Sequence, residues 1–302
     1  MLTINRLVYK WIDSRFLGGC SSYNSLDIRK SCRSKLQART VFATHNIPHA
    51  KGETFFSPFK AVRFARTYGF PLVVKPNVSG FSRGSHFPLT SYKELLLAMF
   101  WARMWWPVSV VEQYLEGKNY RIVVVKEGIM SVIRRYPPFV DGDGKSSINL
   151  LIDRENELRK SMGLYPVIHP IPKDRKIIRY LKKKDLNLDS IPVEGERVQL
   201  LSRISLAPGG VIETIDKTSL PGDNRELFEG ILEHFGANIL GIDAIFEKGI
   251  DQSYRQQKTI LLEVNSRPYL KMHDVPRYGG REDLKPYYDR LNSLAVKQQD
   301  IF

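Results

Sequence analysis

At 302 residues, with 42% apolar and 26% charged residues and no low-complexity tract, the chain has an ordinary globular composition and can bury one large core or two modest ones. No apolar run approaches the roughly 20 residues that span a bilayer, and Arg6, Lys10, Asp13 and Arg15 interrupt any signal-peptide core, so a cytoplasmic protein with no membrane partner is expected. The formal charge of +14 is concentrated in 1–40, with eight basic and two acidic residues, and in 173–184, with seven against one. Two readings of these runs stay open, a solvated basic face or a surface for nucleic acid, an acidic polymer or an anionic surface.

In chain order, residues 1–33 are too short for a domain and are expected to pack as an arm or helix. Cys20 and Cys32, the only cysteines, lack ligand-like spacing, so neither a disulfide framework nor a zinc site is expected. Ser34 caps a helix that opens at Lys35 and stops before Asn46-Ile47-Pro48. Ser57-Pro58 opens another, with Ala61, Val62, Phe64, Ala65 and Tyr68 along one side and Gly69 as its stop. A buried strand over 70–76 carries Lys75 near its end. It leads into Asn77-Val78-Ser79-Gly80-Phe81-Ser82-Arg83-Gly84-Ser85, whose small residues let backbone N–H groups approach an anion. The glycine spacing is neither that of a Walker loop nor that of a dinucleotide fingerprint.

Ser91 and Glu94 form a capping box for a helix through Leu95-Leu96-Leu97, and Trp101, Trp105 and Trp106 recur at helical spacing as expected core. Strands are predicted over 110–115, 120–126 and 129–136, with a turn at Glu127-Gly128. Asp141 and Asp143 do not make a calcium loop, because the position of its closing glutamate is Ile152; a turn leading into a helix is expected. Helices and hairpins mix without βαβ alternation, which points to an α+β class.

Two later strands each carry acidic chemistry. Gly241-Ile242-Asp243-Ala244-Ile245-Phe246 holds Asp243. Strand alternation over Ile260-Leu261-Leu262-Glu263-Val264-Asn265 puts Glu263 and Asn265 on one face, with Leu262 and Val264 turned into the core. Carboxylates inside apolar strands are costly without a partner, and a hard cation such as Mg2+ takes carboxylate and amide oxygens.

The order of a Ser-Lys helix start, Pro71-Leu72-Val73-Val74-Lys75-Pro76, the glycine loop, Val111-Glu112-Gln113-Tyr114-Leu115-Glu116-Gly117-Lys118-Asn119-Tyr120-Arg121, Gly241-Ile242-Asp243 and Glu263-Val264-Asn265 resembles an ATP-grasp ligase. Arg134-Arg135-Tyr136-Pro137-Pro138, Gly142-Asp143-Gly144-Lys145-Ser146, Ser205-Leu206-Ala207-Pro208-Gly209-Gly210 and Leu270-Lys271-Met272-His273 make it more similar to the ATP-grasp region of cyanophycin synthetases and bifunctional glutathione-forming enzymes. The resemblance covers roughly 34–280 and implies two α+β subdomains with ATP held between them. The implied division is an arm at 1–33, a small subdomain with the glycine loop at 34–109, a large subdomain with the metal site at 110–290 and a tail at 291–302.

By the same resemblance, Lys35 and Lys75 hold ATP phosphates, and Ser79, Gly80 and Gly84 belong to a loop closing over them. Glu112, Gln113 and Leu115 read the adenine edge, and Asn119 stands at the ribose position, which is commonly acidic. Asp243, Glu263 and Asn265 ligate Mg2+, and Arg121, Arg135 and Arg203 face the transferred phosphate and the acyl intermediate. His273 is either a substrate contact or structural. The implied activity is ATP-dependent joining of an amino-acid or peptide carboxylate to an amine, through an acylphosphate. Only 34 residues precede Lys35, where many ATP-grasp enzymes have a whole domain, so the chain is either a minimal ligase or one that takes that surface from a partner or a second copy. The alternative from another class is a non-catalytic scaffold whose basic face binds an acidic polymer or nucleic acid.

Overall fold

The computed structural model describes residues 23–33, 35–77 and 84–293. Residues 1–22 of the expected 1–33 arm, the Ser34 cap, Ser79 and Gly80 of the glycine loop, and residues 294–302 of the expected 291–302 tail lie outside the described residues.

The first part of the chain runs α1 (Leu26–Arg33), α2 (Lys35–Thr44), β1 (Gly52–Phe55), α3 (Pro58–Tyr68), β2 (Leu72–Pro76), β3 (His86–Leu89), α4 (Tyr92–Arg103) and β4 (Ser109–Gln113). The four strands form an antiparallel sheet in the order β1-β4-β2-β3. Leu72, Val74 and Val111 on one face pack against Phe64 and Ala65 of α3 and Leu95, Met99 and Ala102 of α4, forming a self-contained core. Alternation then leaves Lys75 and Glu112 on the other face. The expected division at 109/110 cuts through β4; the sheets themselves divide after Gln113.

The second part runs β5 (Lys118–Val125), β6 (Gly128–Tyr136), β7 (Phe139–Asp141), α5 (Ile148–Ser161), α6 (Arg175–Lys182), β8 (Arg197–Gln199), β9 (Val211–Ile215), α7 (Gly222–His234), β10 (Ile239–Phe246), β11 (Thr259–Asn265), α8 (Lys271–Asp274) and α9 (Lys285–Ser293). An antiparallel sheet of order β11-β10-β5-β6-β9 carries the main core, where Ile122, Val124, Val132, Ile242 and Ala244 meet Phe228, Ile231 and Leu232 of α7. β7, β8, α5 and α6 build a satellite around Ile148, Ile152, Ile177 and Leu181. Asn24, fully buried, ties the segment before α1 to this sheet by donating to the carbonyls of Ile239 and Ser266. The two layers of helix and antiparallel sheet agree with the expected α+β class.

The structure corrects several local expectations. Ser57 stands at the start of α3 with Pro58 following, but its hydroxyl caps nothing, and Tyr68 is exposed. Ser91 does accept from Glu94 N–H, while the Glu94 carboxylate reaches back to Thr90 N–H and Oγ1. Trp101, Trp105 and Trp106 are 41–55% exposed and are not core, because the buried face of α4 is already filled by Leu95, Ala98, Met99 and Ala102. A bulge makes Leu262 the extra residue of β11, so Leu261 and Val264, not Leu262, enter the core. Asp143 forms the expected turn, accepting from the N–H groups of Lys145 and Ser146 just before α5. Among the described residues no helix is long and apolar enough to cross a membrane.

Candidate active site

Sheet register brings the acidic residues together. β10 and β11 pair so that Asp243 lies opposite Glu263 and Gly241 opposite Asn265, and on its other flank Asp243 is opposite Arg121 of β5. Gly241 is needed for this approach, since a Cβ there would come within 2.8 Å of the Pro268 side chain. Arg121 grips Asp243 with two parallel bonds, Nε to Oδ1 at 2.6 Å and Nη2 to Oδ2 at 2.7 Å. Arg135 adds a contact to Oδ1 at 3.2 Å and donates through Nε to Asn119 Oδ1 at 2.9 Å. Burial pushes the Asp243 pKa up, but Arg121 and then Arg135 outweigh it and hold it at about 2. Glu263 stands directly across the strand pair from Asp243, and Asn265 Nδ2 approaches Glu263 Oε1 at 3.5 Å.

A second charged set lies on the small sheet and α2. Lys75 pairs with Glu112 at 2.5 Å across neighbouring strands, and Arg39 approaches the same carboxylate at 3.5 Å. Lys35, at the first turn of α2, is buried and makes no ion pair or hydrogen bond among the described residues. Its pKa is lowered by burial first; Glu263 and Glu112 pull it back up, and Lys75 pushes it down. Lys35 therefore feels both sets of charges. Arg39 was not singled out from the sequence, although its spacing four residues after Lys35 puts both on one helix face.

The linking segment offers backbone groups. Gln113 N–H donates to Lys51 O and Tyr114 N–H to Pro71 O, whereas Leu115 N–H has no backbone partner among the described residues. At the end of the glycine loop, Gly84 has φ +71° and an added Cβ would meet Trp105 Cδ1 at 2.5 Å. Arg203 does not join Arg121 and Arg135 on Asp243; it is exposed on a separate loop and donates to Ser85 O at 3.3 Å, beside the glycine loop. His273 is wholly buried, bonds Ser131 Oγ through Nδ1 at 2.9 Å and leaves Nε2 without a partner among the described residues. Burial, then Arg121 and Arg135, push its pKa down to about 3, and a neutral, enclosed ring favours the structural alternative.

The donor sets fit Mg2+ and a polyphosphate. Two carboxylates and an amide oxygen on facing strands suit a hard cation that takes its remaining ligands from water and phosphate. Among the described residues no three His, Cys, Asp or Glu cluster, so such a cation depends on Asn265 and the bound phosphates. A buried ammonium with no counter-ion is costly, and a phosphate at Lys35 would remove that cost.

The fold is the one seen in solved ATP-grasp ligases. A bifunctional glutathione synthetase from Pasteurella multocida superposes with a TM-score of 0.66 at 23% identity over 90% of this chain and 38% of that one. D-alanine–D-alanine ligase from Bacillus anthracis superposes with a TM-score of 0.52 at 14% identity over 88% and 66%. In sequence, the chain is 29% identical over 293 residues to cyanophycin synthetase of Crocosphaera subtropica, covering 95% of this chain and 33% of that protein. It is 26% identical over 262 residues to the glutathione biosynthesis bifunctional protein GshAB of Listeria monocytogenes, covering 83% and 33%. The chain spans about a third of the length of these two relatives, and no family model matches it.

Proposed function

We propose that the chain is an ATP-dependent carboxylate–amine ligase that forms a peptide bond through an acylphosphate, acting in the cytoplasm on an amino acid or short peptide. The observation that carries this reading is Asp243 opposite Glu263 beside Asn265, together with the buried Lys35, which has no ion pair among the described residues and feels the Glu263 charge. A carboxylate is a poor acyl donor because its leaving group would be oxide. In the proposed reaction a carboxylate oxygen of the substrate bonds to the γ-phosphorus and ADP leaves. The amine then bonds to the acyl carbon and inorganic phosphate leaves with the former carboxylate oxygen.

The chain's own part is electrostatic. Lys35 and Lys75 hold phosphate oxygens, with Glu112 and Arg39 fixing the Lys75 ammonium. The link from Glu112 to Leu115 reads adenine through the Leu115 N–H, which has no backbone partner among the described residues. Asp243, Glu263 and Asn265 hold Mg2+, whose charge would offset that of the phosphates. Arg121 and Arg135 keep Asp243 ionised and oriented, and become donors to the transferred phosphate. We assign Arg203, with Gly84, to the mouth of the glycine loop.

The test is Mg2+-dependent ADP release from ATP with pooled amino acids and short peptides, with mass spectrometry for a product one water lighter than its reactants. Glu263→Gln, which keeps the side chain's size and lowers charge, is expected to cut ADP release about a hundredfold to a thousandfold while the protein stays folded. Unchanged turnover in that variant would overturn the metal assignment.

A further inference from the structure

Helix α4 is apolar on two opposite sides. Its inner side is buried against the small sheet, but Leu96, Leu97, Phe100, Trp101 and, one residue past the end, Met104 are 44–71% exposed. At 3.6 residues per turn these five positions form one continuous stripe, and Phe100 and Trp101 pack edge to face at 5.3 Å with water on the far side. An exposed apolar stripe of this kind marks a surface that is covered in use. Lys93 stands within it. The neighbouring helix α3 lies in the same layer, contains no acidic residue, and turns Phe59, Lys60, Arg63 and Arg66 outward. The carboxylate of Glu94, the only one on α4, is engaged by Thr90.

We propose that this two-helix face docks on an anionic lipid surface, with Leu96, Phe100 and Met104 entering the headgroup boundary and Lys60, Arg63 and Lys93 meeting lipid phosphates. A bilayer supplies both halves of the match at once, an acyl boundary for the stripe and phosphates for the cations. The long stems of lysine and arginine let their charges stay at headgroup level while the stripe sinks. The net charge of +14 draws the whole protein toward such a surface. A second copy fits worse, because two-fold pairing of this face would bring the same four cations against one another. The docking is a surface mode and not a span. It revises the expectation of no membrane partner, which rested on the lack of a spanning segment. Lys75 and Glu112 lie on the opposite face of the small sheet, so docking leaves them open, while Leu97 and Trp101 at the edge of the stripe border the cleft that holds Arg203; the proposal does not rest on the ligase reading.

The test mixes the full chain with large vesicles of phosphatidylcholine alone or with added phosphatidylglycerol, followed by co-sedimentation and tryptophan emission. Binding is expected with the anionic vesicles, with a blue-shifted emission, and is expected to weaken with salt. The pair Leu96→Ser and Phe100→Ser should lose binding by about tenfold or more, and Arg63→Glu and Lys93→Glu by about fivefold or more per cation. All of these positions are exposed, so thermal midpoint and ADP release should hold and serve as folding controls. The proposal is overturned by absence of binding to both vesicle types, by wild-type binding in either pair of variants, or by a dimer in sedimentation velocity that Leu96→Ser and Phe100→Ser dissolve.

Discussion

Lys35 and Lys75 sit on the same side of the site with opposite surroundings: Lys75 has Glu112 at 2.5 Å, and Lys35 has no partner anion among the described residues. Burial lowers the Lys35 pKa, so the unfolded chain binds that proton more tightly than the folded one. The charged ammonium therefore costs stability at neutral pH, and the cost fades only as pH rises through the lowered folded pKa toward the ordinary lysine value. Lys35→Met is accordingly expected to raise the thermal midpoint of the nucleotide-free protein and to weaken ATP binding about tenfold to a hundredfold, the value of one hydrogen bond to a charged group. Calorimetry with and without ATP reads both; a lowered midpoint with unchanged affinity would sink the assignment. At this scale the sequence was informative where chemistry alone marks a residue, as for a carboxylate in an apolar strand. It was silent on Arg39 and Ser131 and left His273 between two readings, because their surroundings come from neighbours far away in the chain.

The β10–β11 pair is where local pattern becomes a site. Alternation put Glu263 and Asn265 on one face of β11, but the opposition of Asp243 to Glu263 depends on register, and the bulge at Leu262 resets that register by one residue. Gly241 faces Asn265 with Pro268 pressed close behind it. Gly241→Ala is expected to keep the sheet, displace Pro268 and Asn265, and weaken Mg2+ binding, so that more Mg2+ is needed for half-maximal ADP release; a wild-type Mg2+ titration would count against Asn265 as a ligand. α4 shows the opposite limit. Its apolar residues occur at helical spacing on two sides, and periodicity cannot say which side the protein covers itself. The tryptophans were assigned to the core for that reason, and the structure puts them in water.

The molecule as a whole is two sheet-and-helix bodies; in the proposed reading they share a site, the small sheet contributing Lys75 and Glu112 and the large one Arg121, Asp243 and Glu263. A nucleotide bridging these faces should stabilise both together. At free MgATP about a hundred times its Kd, linkage predicts about 2.7 kcal/mol of added stability, read as a higher thermal midpoint that Mg2+ removal reverses. No shift with MgATP would argue that the two faces do not share a ligand.

Residue chemistry, strand alternation and the linear order of motifs are local properties; they sufficed for the α+β class and the likeness to ATP-grasp ligases, and they raised the lysines and the acidic pair as candidates. The tertiary structure alone decided that Arg121 reaches Asp243 across 122 positions of chain, that Arg203 stands apart from them, and that one side of α4 is left uncovered. Sheet order, register and the supply of a covering surface are non-local, so no window of sequence contains them.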